Sequence, residues 1–156
     1  MLLLDKLSLW KLVLLILLFV GCNQDEEGQN SFILGRYFGE CIGDCGTFYK
    51  LTDQSLLPDN ESYFNSQKIN FSNQPLSEIK ENLVRNLFKE FPKSLYDIKE
   101  HIIGCPDCAD QGGYYLEVME NGVKHYWNID RWAPEIDEEL KSYLDKIDQT
   151  FIKLKK

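Results

Sequence analysis

Basic side chains are scarce in this chain: 17 Lys and Arg stand against 25 Asp and Glu in 156 residues. Apart from Lys153, Lys155 and Lys156 at the tail they form no cluster, and a phosphate backbone is gripped by clustered Lys and Arg, so no nucleic-acid partner is expected. A transmembrane helix needs about 20 consecutive apolar residues. The best stretch, residues 7–20, offers 14 positions with Lys11 among them. Histidine is limited to His101 and His125, and no Gly-x-Ser-x-Gly, phosphate-loop, dinucleotide-loop or His-Glu-x-x-His motif accompanies them. No enzyme activity, catalytic residue, metal or cofactor is expected. The length suits one domain, and no internal repeat is visible.

What is present begins with a leader. Lys6 and Lys11 supply a basic start, residues 12–20 an apolar core and Gly21 a small residue before a cleavage point, which is the layout of a secretory signal. The ending Phe19-Val20-Gly21-Cys22 resembles a bacterial lipobox, although Leu is commoner than Phe three positions before the cysteine. The resemblance implies removal of residues 1–21, lipidation of Cys22 and a partnership with the bilayer through its acyl chains, since two or more chains anchor stably. Residues 22–30 then comprise the lipidated cysteine and an acidic, flexible tether, residues 23–30, without apolar side chains. An acidic cluster directly after the lipidated cysteine resembles the surface-export signal of Bacteroidota lipoproteins. Subtracting the leader's +1 from the chain's formal −8 leaves −9 on the remaining 135 residues, a balance suited to solubility at a cell surface.

Residues 31–156 read as a single small α+β domain. Aromatic and aliphatic residues over 32–38 and alternation over 47–51 predict two strands joined by a glycine-marked turn. A third strand is expected around 62–71, after Pro58-Asp59-Asn60. Leu76, Ile79, Leu83, Val84, Leu87, Phe88 and Phe91 fall at helical spacing, with Pro75 in the first turn and Pro92 as the stop. Asn121-Gly122 predicts a two-residue hairpin turn within 114–129. The register that follows puts Tyr114, Leu116, Val118, His125, Trp127 and Ile129 on the core face, and Tyr115, Glu117, Met119, Lys124, Tyr126 and Asn128 on the other. Pro134 is expected to open a last helix whose stripe is Ile136, Leu140, Tyr143, Leu144, Ile147 and Phe151. The order is β-β-β-α-β-β-α, an antiparallel sheet with two packed helices.

Four cysteines remain after Cys22, as Cys41-x3-Cys45 and Cys105-Pro106-Asp107-Cys108. An even number in an exported chain points to disulfides. A bridge from the first pair to the second is the expected pairing, closing a ring of about 60 residues worth about 4 kcal/mol. Two local bridges are the alternative. A four-thiolate zinc site and a Cys-x-x-Cys redox pair are sharper readings of the same residues, but zinc must compete with oxidation outside the cytosol. The redox motif runs into a strand with Asp107 and Asp110 beside it, where a reactive thiolate wants a helix N-terminus. Asp44, Asp107 and Asp110 lack calcium-loop spacing and read as turn formers.

His125 is expected at the solvated end of the core face, and His101 has no nucleophile signature beside it. Tyr37, Phe38, Phe48, Tyr49, Tyr63, Phe64, Tyr114, Tyr115, Tyr126 and Trp127 are more aromatics than one sheet face hides. Either some are exposed as a binding face, or each face is covered by one helix.

The segments Phe38-Gly39-x-Cys41-x-Gly43-x-Cys45-x-x-x-Tyr49-x-Leu51 and Gly104-Cys105-Pro106-Asp107-Cys108-Ala109-Asp110-Gln111-Gly112-Gly113 resemble those of small uncharacterised lipoproteins of Bacteroidota. More distantly they resemble a family of unknown function in which a Phe-Gly-x-Cys strand precedes a helix, a hairpin and a final helix. The likeness runs from Phe32 to the C-terminus and implies no activity, cofactor or catalytic residue. The expectation is an outer-membrane lipoprotein, surface-exposed or periplasmic, that binds an envelope protein as an accessory or inhibitory module. A small thiol-redox or zinc protein using the two cysteine pairs is the alternative.

Overall fold

The computed structural model describes residues 30–39, 41–43, 45–61 and 68–155. The expected leader, Cys22 and most of the tether lie outside the described residues, as do Glu40, Asp44, Tyr63 and Phe64. Six strands form one sheet: β1 (Ser31–Tyr37), β2 (Gly46–Thr52), β3 (Leu56–Pro58), β4 (Ile102–Ile103), β5 (Gly113–Glu120) and β6 (Val123–Ile129). Two helices accompany it, α1 (Glu78–Lys89) and α2 (Glu138–Leu154), with a 3-10 turn at Lys93–Asp97. The strand order is β3-β2-β1-β5-β6-β4, antiparallel except where β4 runs parallel to β6. The domain is α+β, with one more strand than expected. No helix among the described residues is long and apolar enough to cross a membrane.

The β5–β6 hairpin has the expected register, with Val118 opposite His125, Leu116 opposite Trp127 and Tyr114 opposite Ile129. Asn121 and Gly122 both adopt positive φ, as a primed turn requires. All six residues of the expected last-helix stripe are buried, five of them within α2 and Ile136 just before it. The third strand is displaced from the expected place. It is Leu56–Pro58, paired with β2, while the described part of 62–71 contributes only an isolated bridge from Phe71 to Asp59.

Neither proline opens its helix. Leu76 donates its N–H to the carbonyl of Leu56, so the residue after Pro75 serves β3 and α1 starts two residues later. At α2 the Asp137 carboxylate accepts from the Leu140 N–H at 2.7 Å and sets the start, because a carboxylate satisfies an orphan helical N–H that proline cannot.

Both helices pack on the same face. Phe32, Leu34, Leu116, Val118, Trp127 and Ile129 from the sheet share one core with Val84 and Leu87 of α1 and with Leu140, Leu144 and Ile147 of α2. The second face carries a smaller core of Ile33, Tyr37, Phe48 and Tyr115, against which Ile69, Phe71 and Tyr126 pack. Here Phe48 lies across Gly35, where a Cβ would stand 2.0 Å from its ring. The ring takes the place of the missing side chain.

Candidate functional site

The cysteines close locally, as Cys41–Cys45 and Cys105–Cys108, each with Cα atoms 5.5 Å apart. The expected bridge between the two loops is therefore replaced by the alternative pairing. Rings spanning three or four peptide steps are worth only about 2 kcal/mol each in the chain-entropy account. Cys41, Cys105 and Cys108 are exposed and Cys45 is buried.

The two loops nevertheless meet, joined by Asp107. Its Oδ2 accepts the Gly39 N–H at 2.5 Å and its Oδ1 accepts the Gly112 N–H at 2.8 Å. One carboxylate thus ties the end of β1 to the start of β5. Asp107 and Asp110 sit at positive φ, 62° and 56°, a conformation that Asp tolerates better than most side chains. This is turn-forming work, as the sequence suggests. Asp130 does the same for the third loop, accepting the Trp132 N–H at 2.9 Å and the Cys105 N–H at 3.4 Å.

Register places all three loops at one end of the sheet. Tyr37 pairs with Gly46 and Gly113, and Ile129 pairs with Tyr114 and Ile103. The described residues of 38–45, with 104–112 and 130–137, therefore form a loop end. The described chain enters at the opposite end, where the Asn30 side chain accepts from the Asn121 N–H at 3.0 Å. The seven residues of β1 separate the two ends by about 20 Å.

At the loop end a cleft of about 410 Å³ opens between the β1 and β2 termini and the last turns of α2. Arg36, Phe38, Thr47, Phe151, Ile152 and Lys155 line it, with Asp148 at its base. The volume falls in the range of small-molecule pockets. Beneath it lies an ion network. The Asp148 carboxylate accepts from Tyr114 Oη at 3.0 Å and pairs with Arg131 at 2.6 Å, while Arg131 also pairs with Asp145 at 2.5 Å. Burial opposes the Arg131 charge, but hydrogen bonds to Asp145 and Tyr114 outweigh it and hold the guanidinium above its ordinary pKa. Burial is the main reason the Tyr114 phenol is raised above its usual value.

Arg36 stands differently. It reaches Asp148 only at 3.4 Å, and its guanidinium lies over the rings of Phe38 and Tyr114, 5.2 and 5.7 Å from their centroids. Two aromatic faces thus orient a cation whose remaining N–H donors have no acceptor among the described residues. Lys155 likewise has no carboxylate partner among the described residues. In a strongly acidic protein this is a locally cationic cleft. The sequence signal for it was Arg36, the one charged residue of SFILGRY.

His125 stacks against Trp127 and meets the edge of Tyr96 at the half-buried end of the core face. His101 stacks on Tyr126 with centroids 4.1 Å apart and contacts the Tyr126 carbonyl through Nδ1. No group of three or more His, Cys, Asp or Glu among the described residues is placed to hold a metal. The sheet aromatics are mostly hidden: Tyr37, Phe48, Tyr49, Tyr114, Tyr115 and Trp127 are buried, and Phe38 and Tyr126 half-buried. Both alternatives for them fail in part, because one face takes both helices. The strongly exposed aromatic among the described residues is instead Trp132, 74% accessible at the loop end, which strand patterning does not single out. No protein-family model matches this chain, and no curated protein matches it.

Proposed function

We propose that this protein is a lipid-anchored lipoprotein of the bacterial cell envelope, of the Bacteroidota kind its cysteine motifs resemble, whose disulfide-bonded domain acts by binding. The leader ending at Cys22 and the acidic segment after it support the anchor. One geometric observation carries the binding role: the chain enters the domain at one end of the sheet, and the three restrained loops and the cleft lie at the other. Lipid on Cys22 then holds the entry end toward the bilayer and leaves the loop end facing outward. Exposed Ile42 and Trp132 lie there, and apolar side chains on an ordered surface are the material of a docking site.

Two experiments test the two halves. Membrane fractionation of wild type and Cys22→Ala checks the anchor; the variant is expected in the soluble fraction, and its retention in the membrane would refute lipidation as the cause. A photo-crosslinking residue placed at Ile42 or at Val123 checks the binding end. A discrete adduct with an envelope component is expected from Ile42 only, and equal adducts from Val123 at the entry end would overturn the assignment.

A further inference from the structure

We infer that the Arg36 cleft is a binding site for a monocarboxylate carrying a compact apolar group. The inference rests on the binding reading above and names the ligand class for its cleft. Among the described residues, the charges lining the cleft are Arg36 and Lys155 against Asp148, and Arg131 beside it is balanced by Asp145. Asp148 already accepts from Tyr114, Arg131 and Arg36, so it has little left to offer Lys155. The surplus among the described residues is one positive charge, which one carboxylate neutralises and a dianionic phosphate would overshoot in a protein of formal charge −8.

Geometry favours the same ligand. A guanidinium held over the Phe38 and Tyr114 rings presents a planar fork of N–H donors, matched to the two oxygens of a carboxylate. Phe38, Phe151 and Ile152 supply apolar walls beside it, and Thr47 adds a hydroxyl. A cleft of about 410 Å³ has room for a phenyl or branched aliphatic group beside the carboxylate. Such a group comes either as a free small acid or as the last residue of a polypeptide with its α-carboxylate.

Calorimetric titration of the lipidated protein in nanodiscs, with empty nanodiscs subtracted, tests this. The probes are 3-phenylpropionate and a tetrapeptide ending in phenylalanine, each beside its neutral amide. Both acids are expected to bind at least tenfold more tightly than their amides. The tighter of the two acids identifies the source. Arg36→Met is expected to weaken the acids tenfold or more and Lys155→Met about threefold, with the amides unaffected. Arg36→Lys should recover part of the loss, and the exposed Lys155 gives a readout that does not depend on the packing around Arg36. Equal binding of acids and amides would overturn the carboxylate assignment while leaving a cleft that binds. Failure of all four probes would overturn both, and unchanged affinity in both Met variants would place the ligand elsewhere.

Discussion

At the entry end of the sheet, β5 turns into β6 through Asn121 and Gly122, and a Cβ on Gly122 would meet nothing within 4 Å. At the far end, loops of eight or nine residues replace such turns, and each is restrained. The first is closed by Cys41–Cys45, the second by Cys105–Cys108, and the third is held by Asp130. Asp107 then joins the first to the second. Loops of this length ordinarily carry mobility. Restraining them with carboxylate hydrogen bonds and covalent links yields a surface of fixed shape, which lowers the ordering cost of recognising a partner. The contrast between a bare turn and a stitched surface is the physical content of the functional proposal.

Substitutions at the two ends turn that contrast into numbers. The largest effect is expected at Gly112. It shares positive φ with Gly122, at 75° against 79°, but its Cβ would stand 2.4 Å from the Tyr37 carbonyl oxygen and 2.7 Å from the Phe38 ring. Gly122→Ala should cost about 1–2 kcal/mol, the conformational penalty alone. Gly112→Ala should cost about 2 kcal/mol more, because backbone must move. Equal losses in denaturant unfolding would show that the loop end is no tighter than the turn.

Asp107→Ala removes two charge-assisted hydrogen bonds and leaves alanine at positive φ, an expected loss of about 2–4 kcal/mol. Asp107→Asn keeps an acceptor and should lose less. Replacing Cys105 and Cys108 together by serine should cost about 2 kcal/mol. A loss near 4 kcal/mol would instead fit a bridge between the loops.

Alkaline pH probes the same end. Burial, helped by the charge of Asp107, pushes the Tyr37 phenol up to about 12 from 10.0. The unfolded chain therefore releases this proton first. Stability is unaffected below pH 10 and falls between 10 and 12, by about 1.4 kcal/mol per pH unit for one tyrosine. Tyr115 and Tyr143 are raised as well, chiefly by burial, so Tyr37→Phe should flatten the curve by one proton and no more. Asn30→Ala, which removes one hydrogen bond at the entry end, should cost less than about 1 kcal/mol.

These contrasts also mark what the amino-acid order disclosed. The hairpin register was legible because Asn121-Gly122 admits one pairing and a one-residue slip would turn Leu116 and Trp127 away from the core. The α2 stripe was legible because its burial has a helical period. The starts of both helices were not, since Leu76 is claimed by Leu56 and Asp137 outcompetes Pro134 as a cap. β4 is two residues long, too short for any period to show. Proximity of the two cysteine loops was foreseen, but not its agent: the contact is made by Asp107 through backbone N–H groups of Gly39 and Gly112, which no spacing rule reports. The Arg36 cleft was hidden for a similar reason, because it joins residues more than 100 positions apart.

If Cys22 carries the proposed lipid, the orientation of the domain on a membrane tests the account most directly. Trp127 is 2% accessible and Trp132 is 74% accessible at the loop end, so quenching of tryptophan emission reads the position of that end. In the lipidated protein on vesicles, iodide in the water should quench the Trp132 emission, and bromine-labelled acyl chains should leave it unchanged. Quenching of Trp132 by the brominated lipid would place the loop end and its cleft against the bilayer and contradict an outward-facing binding surface.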